Sequence, residues 1–426
     1  MHRTDVDAAP VRIGGGAMNP SLCEVSRARL GRCRRTLVVC GSFCIVAGAG
    51  ACAGKGRPAG VESAEPAGAS ASWAMPTATM RWNEYACELI ARNQVGQQRS
   101  ARVLAYLNLA INNAIRAAAQ QGRKPDGAAA GAAATVLAYA YPNNASAIEA
   151  RLAGETAALG AGATRDEFSS AVQVGQTAGA DVVAVAKTDR FDLAWTGTVP
   201  PGRDKWVSSS QPPIFPRLGE MRPFFLNSAA EFRPPPPPSL DSPEFKAALA
   251  EVRSISDHRT TEQLRIAQFW EQTSGSYSAG VWNDVARKAI AAHRLGDADA
   301  ARVLAQAHMA VIDAFIVCHD GKYTYWLPRP AQVDPEIRLA IGLPNHPSYP
   351  GNHGCVSTAF GTVLDAAFPD ENGRYAAMAR QAAESRIYAG IHYRFDNDAG
   401  MDIGRKVAAR ALAVLPPDKP YLPAQK

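Results

Sequence analysis

The chain has 426 residues, 47% of them hydrophobic and 20% charged, which is ample for a buried core in one large or two ordinary domains and argues against a disordered chain. The formal charge of +6 does not mark a nucleic-acid-binding surface, because residues 1–52 carry seven Arg against three acidic residues and leave about +2 for the rest. No series of long apolar runs is present, so no membrane span is expected.

In chain order, Arg27, Arg29, Arg32, Arg34 and Arg35 precede an apolar run from Thr36 to Val46, which passes into Ala49-Gly50-Ala51-Cys52. This order reads as an export leader over residues 1–52, with Met18 a more natural start than Met1. An exported location, periplasmic or extracellular, is therefore expected. Cys52 ends a lipobox-like stretch and is a candidate lipid anchor, although Ala49 holds the place usually taken by Leu; plain cleavage is the alternative. Residues 53–80 are rich in Ala, Gly, Ser and Pro and read as a disordered spacer. Five of the eight cysteines lie in the leader, leaving Cys87, Cys318 and Cys355 with no metal-ligand spacing among them. Cys318 and Cys355 flank the cationic segments described below, and either a disulfide or two buried thiols fits.

Apolar residues three and four apart predict helices over 82–93 and through Val103, Leu104, Leu107, Ile111 and Ile115, then over 130–141, 145–159 and 166–187. Residues 81–195 thus read as an N-terminal helical bundle. Residues 196–243 lose too many amide donors to proline for helix or central strand. Trp206, Ile214, Phe215, Leu218, Phe224, Phe225, Leu226 and Phe232 make this stretch too apolar for a solvated tether, so an ordered crossover is expected. Helical periodicity resumes over 243–252, 260–271 (with Thr260 and Gln263 at capping-box spacing), 281–293 and from Asp297, read as a cap, toward Cys318. It continues over 353–367, 371–390 and 396–414, making 244–415 a second helical bundle and 416–426 a tail. The fold class is all-α, with two helical bundles and the active site in the second.

The chemistry gathers in that second bundle. Lys322 is followed seven residues later by Arg329, which Pro328 and Pro330 hold in extended backbone, and Arg386 adds a second guanidinium. Three such cations can neutralise the oxygens of a tetrahedral or trigonal-bipyramidal oxyanion through charge-assisted hydrogen bonds. His392 lies four residues before Asp396, so on a helix the carboxylate would share a face with the imidazole and bias it toward the tautomer with a free nitrogen. That makes His392 a nucleophile or a metal ligand. His353 follows Pro350-Gly351-Asn352 at a helix start, where backbone N–H groups can face an anion and the imidazole can act as acid and base. His293, His308 and His319 read as satisfied core residues.

These segments resemble the signature of the type 2 phosphatidic acid phosphatase and vanadium haloperoxidase superfamily, written K-x6-R-P, P-S-G-H and S-R-x5-H-x3-D. The first and third match in full, and Gly-Ile-His-Tyr-Arg-Phe-Asp around His392 is closer to the soluble haloperoxidase branch, as are Arg-Pro-Phe-Phe-Leu and Phe-Arg-Pro-Pro-Pro-Pro-Pro upstream. The resemblance implies that Lys322, Arg329 and Arg386 bind equatorial oxygens, that His353 is the acid–base, and that His392 is the phosphorylated nucleophile or the axial vanadium ligand. Gly351 and Asn352 stand where the signature has Ser and Gly, so a hydroxyl donor is missing. Restoring it by Gly351→Ser is expected to tighten vanadate binding unless the Asn352 amide already fills the space. His346 occupies a place that, by resemblance, is His in bromide oxidisers and aromatic in chloride oxidisers.

The resemblance implies a vanadate-dependent haloperoxidase that oxidises halide, bromide favoured, with hydrogen peroxide and vanadate as cofactor. The alternatives are a secreted phosphatase that works through a phosphohistidine and needs no cofactor, and an inactive oxyanion-binding protein. The expected partners are small molecules, either peroxide and halide or a phosphate ester, and no nucleic acid.

Overall fold

Helix follows helix from Ala78 onward, and among the described residues, 77–271 and 277–423, no strand occurs. The computed structural model thus describes an all-α chain. The leader and residues 53–76 of the spacer lie outside the described residues, as do the last three of the tail. The first helix, α1 (Ala78–Arg92), starts about one turn ahead of Trp82 because Thr77 caps it, its hydroxyl accepting from Met80 N. It is followed by α2 (Gln97–Gln120), α3 (Pro125–Ala140), α4 (Ala145–Ala158) and α5 (Ala163–Ala186). After the crossover come α6 (Pro243–His258), α7 (Thr261–Glu271), α8 (Tyr277–Ala292), α9 (Asp297–Tyr325), the single turn α10 (Pro330–Val333), α11 (Asn352–Ala367), α12 (Arg374–Tyr388) and α13 (Arg394–Val414). The capping box at α7 is present: Thr260 N donates to Gln263 Oε1 and Gln263 N to Thr260 Oγ1.

The helix α9 organises the rest. It runs 29 residues, seven beyond the predicted end, and buries residues on every face. Its N-cap is Gly296 rather than Asp297, whose carboxylate instead accepts from Thr79 N at the start of α1. It packs on α2 from the N-terminal half and on α11 and α13 from the C-terminal half. One continuous apolar core therefore holds Leu104, Leu107 and Ile111 of α2, Val311 and Phe315 of α9, Leu364 of α11 and Val407 of α13. Each such side chain contributes about 1.5–3 kcal/mol by leaving water. By length and composition α9 is the one helix among the described residues that could cross a membrane, and it is buried inside the protein.

The crossover is ordered and clamped to α9. Asp313, wholly buried in the middle of that helix, accepts from Phe224 N at 2.7 Å and Phe225 N at 2.8 Å. Burial pushes its carboxyl up to about 7, against the pull of those two amides. Further along, the proline run cannot donate but can accept: Tyr325 Oη donates to Pro234 O at 2.7 Å and Tyr349 Oη to Pro235 O at 2.8 Å. Arg233 forms a two-pronged pair with Asp320. Trp206, fully buried, donates its backbone N–H to Trp326 O and packs its ring beside Trp326. In this way a stretch whose only helices are the short 3-10 turns Leu218–Glu220 and Ala229–Phe232 still meets its polar obligations.

Asp313→Ala would strand the two buried amides of Phe224 and Phe225 at about 1–3 kcal/mol each. The expected outcome is a loss of about 2–6 kcal/mol in urea denaturation, accompanied by faster amide exchange confined to residues 218–235. A loss below about 1 kcal/mol would show that the clamp is not there.

Candidate active site

The site is built where α9 ends. Trp326 takes a left-handed conformation (φ 57°) as the C-cap, which turns the chain out of the helix into Leu327-Pro328-Arg329. Lys322 sits in the last helical turn, and its ammonium donates to three backbone carbonyls of the following loop: Pro347 O at 2.9 Å, Ser348 O at 2.7 Å, and Pro350 O. All three of its donors are thereby used, on a side chain with no exposure at all. Burial lowers it to about 8, which leaves it charged at neutral pH.

Arg329 is extended, as its flanking prolines require (φ −80°, ψ 157°), and points inward with no exposure. Its guanidinium donates to His346 O at 2.9 Å and Ile391 O at 2.8 Å, and meets His346 Nδ1 at 3.0 Å and His392 Nε2 at 3.3 Å. An arginine can only donate, so His392 Nε2 presents a lone pair to it, whereas His346 Nδ1 stands between Arg329 and Pro347 O, a pure acceptor 3.2 Å away. Burial lowers Arg329 to about 9, partly offset by the Asp396 charge.

The expected pairing of His392 with Asp396 is present, through a different geometry. His392 lies two residues before α13 rather than on it, and Asp396 sits in the first turn, so the carboxylate reaches backward over the helix start. Asp396 Oδ2 accepts from His392 Nδ1 at 2.7 Å, Tyr393 N at 3.1 Å and Ser348 Oγ at 2.5 Å. The proton on His392 is thus held on Nδ1, and Nε2 keeps its lone pair. Burial first, then Arg329 and Lys322, hold this imidazole well below the ordinary histidine range, so it is neutral. Burial also raises Asp396 to about 6, against the Ser348 hydrogen bond and the Lys322 charge.

His353 stands in the first turn of α11, its Nε2 donating to Trp270 O at 3.0 Å across from α7. Burial and then Arg386 keep it neutral, which makes Nδ1 its basic nitrogen. Arg386, 2% exposed near the end of α12, is tied at one end by Glu271 Oε2 at 2.6 Å. Its Nε and Nη1 are buried without a partner. Of the three cations read from the sequence, Arg386 alone keeps free donors, while Lys322 and Arg329 are committed to carbonyls and imidazoles and add positive potential.

Several contributors carried no sequence signal. Glu271 is 115 residues from the arginine it holds. Ser348 closes the Asp396 triad of donors. His319, read as a core residue, is buried but packs its ring against His346 with centroids 5.7 Å apart and lies 3.5 Å from Asn352 Nδ2. Cys318 and Cys355 are free buried thiols, and Cys318 donates to Pro350 O at 3.4 Å.

Gly351 serves a purpose other than donation to an anion. Its N–H donates to Asp396 O at 2.8 Å, and a Cβ placed on it would lie 2.8 Å from Asn397 Oδ1 and 3.2 Å from Asp396 O. From the other side, a Cβ on Gly400 would collide with Gly351 O. The helices α11 and α13 therefore meet backbone to backbone here, which brings His353 and His392 onto one site. A serine here, as in the signature, requires the Asn397 side chain to move.

A vanadate-like oxyanion fits the residues present: two unpartnered guanidinium nitrogens buried on Arg386 match anionic oxygens, and the lone pair of His392 Nε2, held only by the 3.3 Å contact from Arg329, matches an electrophilic centre.

Comparison with known proteins points the same way. Residues 371–416 match the family model described as the VCPO second helical-bundle domain. The vanadium-dependent bromoperoxidase of Ascophyllum nodosum is 30% identical over 122 residues, which cover 22% of this chain and 20% of that protein, so the matched stretch spans about a fifth of the relative. Among solved structures, a bacterial vanadium-dependent iodoperoxidase superposes with a TM-score of 0.69 at 23% identity, over 80% of this chain and 96% of the other. A bacterial vanadium-dependent chloroperoxidase in its apo form gives 0.63 at 14% identity, over 74% and 92%. The resemblance read from the three segments is borne out, and the chain has the fold of these haloperoxidases.

The contact at Gly351 reverses the expectation for serine. Gly351→Ser should lower stability by about 1–3 kcal/mol in chemical denaturation, since Asn397 is itself buried and held by Ala383 O. Vanadate binding should weaken rather than tighten. Tighter binding with unchanged stability would refute the close packing of α11 on α13.

Proposed function

We propose that this chain, which carries the fold of vanadium-dependent haloperoxidases, is a vanadate-dependent haloperoxidase that oxidises halide, bromide preferred, with hydrogen peroxide. The observation that carries this reading is the pair formed by neutral His392, whose Nε2 is left unprotonated by Asp396 and meets only a 3.3 Å contact from Arg329, and Arg386, whose Nε and Nη1 are buried without partners. His392 Nε2 would be the protein ligand to vanadium, Arg386 would hold oxygens of the anion, and Lys322 and Arg329 would supply the surrounding positive potential. When bound, vanadate supplies the Lewis-acidic centre that activates hydrogen peroxide toward a halide. Asp396 holds the His392 tautomer. His353, with its Nε2 proton on Trp270 O, can accept a proton at Nδ1 and return it. Burial of the whole constellation excludes bulk water and strengthens each of these interactions. The arginine-rich leader supports an exported enzyme acting on small molecules, with Cys52 as its candidate lipid attachment.

The test is bromide- and peroxide-dependent halogenation of a β-diketone by apo-protein titrated with orthovanadate, run beside hydrolysis of an aryl phosphate ester. Vanadate-dependent halogenation is expected; ester hydrolysis without it would instead make the protein a phosphatase using His392 as nucleophile. In the same assay His392→Ala should lose at least about 99% of turnover with an unchanged circular dichroism spectrum. Retention of more than a tenth would remove His392 from the centre.

Bromide preference is assigned to His346, which is buried against Arg329 and against the ring of His319. Replacing it by Phe removes the ring nitrogen that Arg329 meets and is expected to shift the ratio of chloride to bromide oxidation upward by about tenfold or more. An unchanged ratio in His346→Phe would leave this residue as loop structure only.

A further inference from the structure

We infer that Asn352 sorts oxyanions by whether they carry a proton, its side-chain oxygen accepting a hydrogen bond from an O–H group of the bound anion; this rests on the oxyanion site proposed above. The orientation of that amide follows from a chain of contacts that begins outside the site. Phe215 O, a carbonyl of the crossover, lies 3.2 Å from His319 Nδ1 and can only accept, so Nδ1 carries the proton. The other nitrogen of a neutral ring, Nε2, then presents a lone pair. Two amide nitrogens face it, Gln98 Nε2 of α2 at 3.4 Å and Asn352 Nδ2 at 3.5 Å. The nitrogen of the Asn352 amide is thereby turned toward His319, and its oxygen is turned away.

That oxygen is buried and has no partner, on a residue 3% exposed that immediately precedes His353. A buried acceptor left unmet is costly, and the cost depends on what the ligand brings to it. An anion oxygen without a proton would set lone pair against lone pair. An anion that carries an O–H would satisfy the acceptor, while the free nitrogens of Arg386 take the unprotonated oxygens. The site so arranged selects hydrogen phosphate or hydrogen vanadate over sulfate, a tetrahedral dianion of similar size with no proton to give. The residue responsible stands where the family signature has glycine, so the selection belongs to this chain's own sequence.

Inorganic phosphate and sulfate, titrated separately into the full-length apo-protein by calorimetry at pH 7.5, test this without any turnover. Phosphate is then largely a dianion, so charge does not distinguish the two. Phosphate is expected to bind at least about tenfold tighter than sulfate in the wild type. Asn352→Ala, and independently Asn352→Gly, should bring the ratio close to one, chiefly by strengthening sulfate. His319→Leu, which frees the amide to rotate, should lower the ratio with Asn352 still in place. A wild-type ratio near one, or a ratio unchanged in the correctly folded Asn352 variants, overturns the inference and leaves the oxyanion site standing. Failure of phosphate, sulfate and vanadate alike to bind the wild type overturns both.

Discussion

A single buried ammonium fixes the geometry on which the site depends. Lys322, with no exposure, is kept charged by the carbonyls of Pro347, Ser348 and Pro350, and an ammonium buried without such partners would cost several kcal/mol. Satisfying it requires the loop to wrap around the end of α9. Once wrapped, that loop offers His346 O to Arg329, Ser348 Oγ to Asp396 and Gly351 N to the carbonyl of Asp396. Four segments distant in sequence are thereby indexed to one cation. Its contribution is architectural as well as electrostatic.

The charge balance around the imidazoles then follows. Lys322, Arg329 and Arg386 are opposed by Asp396, with Glu271 on the far side of Arg386, so the interior carries an excess of positive potential. In such a field an imidazole does not protonate, and His346, His353 and His392 are all held well below their ordinary range by burial and these cations. Neutral rings have a donor side and an acceptor side, and two of these rings have their sides assigned by a fixed neighbour: Asp396 for His392 and Trp270 O for His353. The arrangement is prepared for an anion before one arrives.

Much of this was legible from the chain. Helical periodicity located nearly every long helix because each buries a stripe at three- and four-residue spacing, and motif spacing brought Arg329, Arg386, His353 and His392 together. The reading failed where tertiary contacts override local pattern. The end of α9 was placed early because Gly-Lys-Tyr-Thr-Tyr has no apolar stripe of its own; its packing comes from the crossover. The spacing of His392 and Asp396 was informative, yet the pair is joined over a helix start and not along a helix face. Gly351 looked like a lost donor, whereas its missing side chain is what lets α11 and α13 touch. Glu271 and His319 act through space alone, and no spacing rule connects positions 271 and 386 or 319 and 352.

The depth of the site has a consequence for time as well as affinity. His392 is 3% exposed and Arg386 2%, so an anion held by them would be shielded from water on most sides. Its charge-assisted hydrogen bonds must break before it leaves, without water at hand to replace them, so departure is the slow step. A cofactor held in this way has a long residence time. Dilution or dialysis would remove it slowly even where its equilibrium affinity is modest.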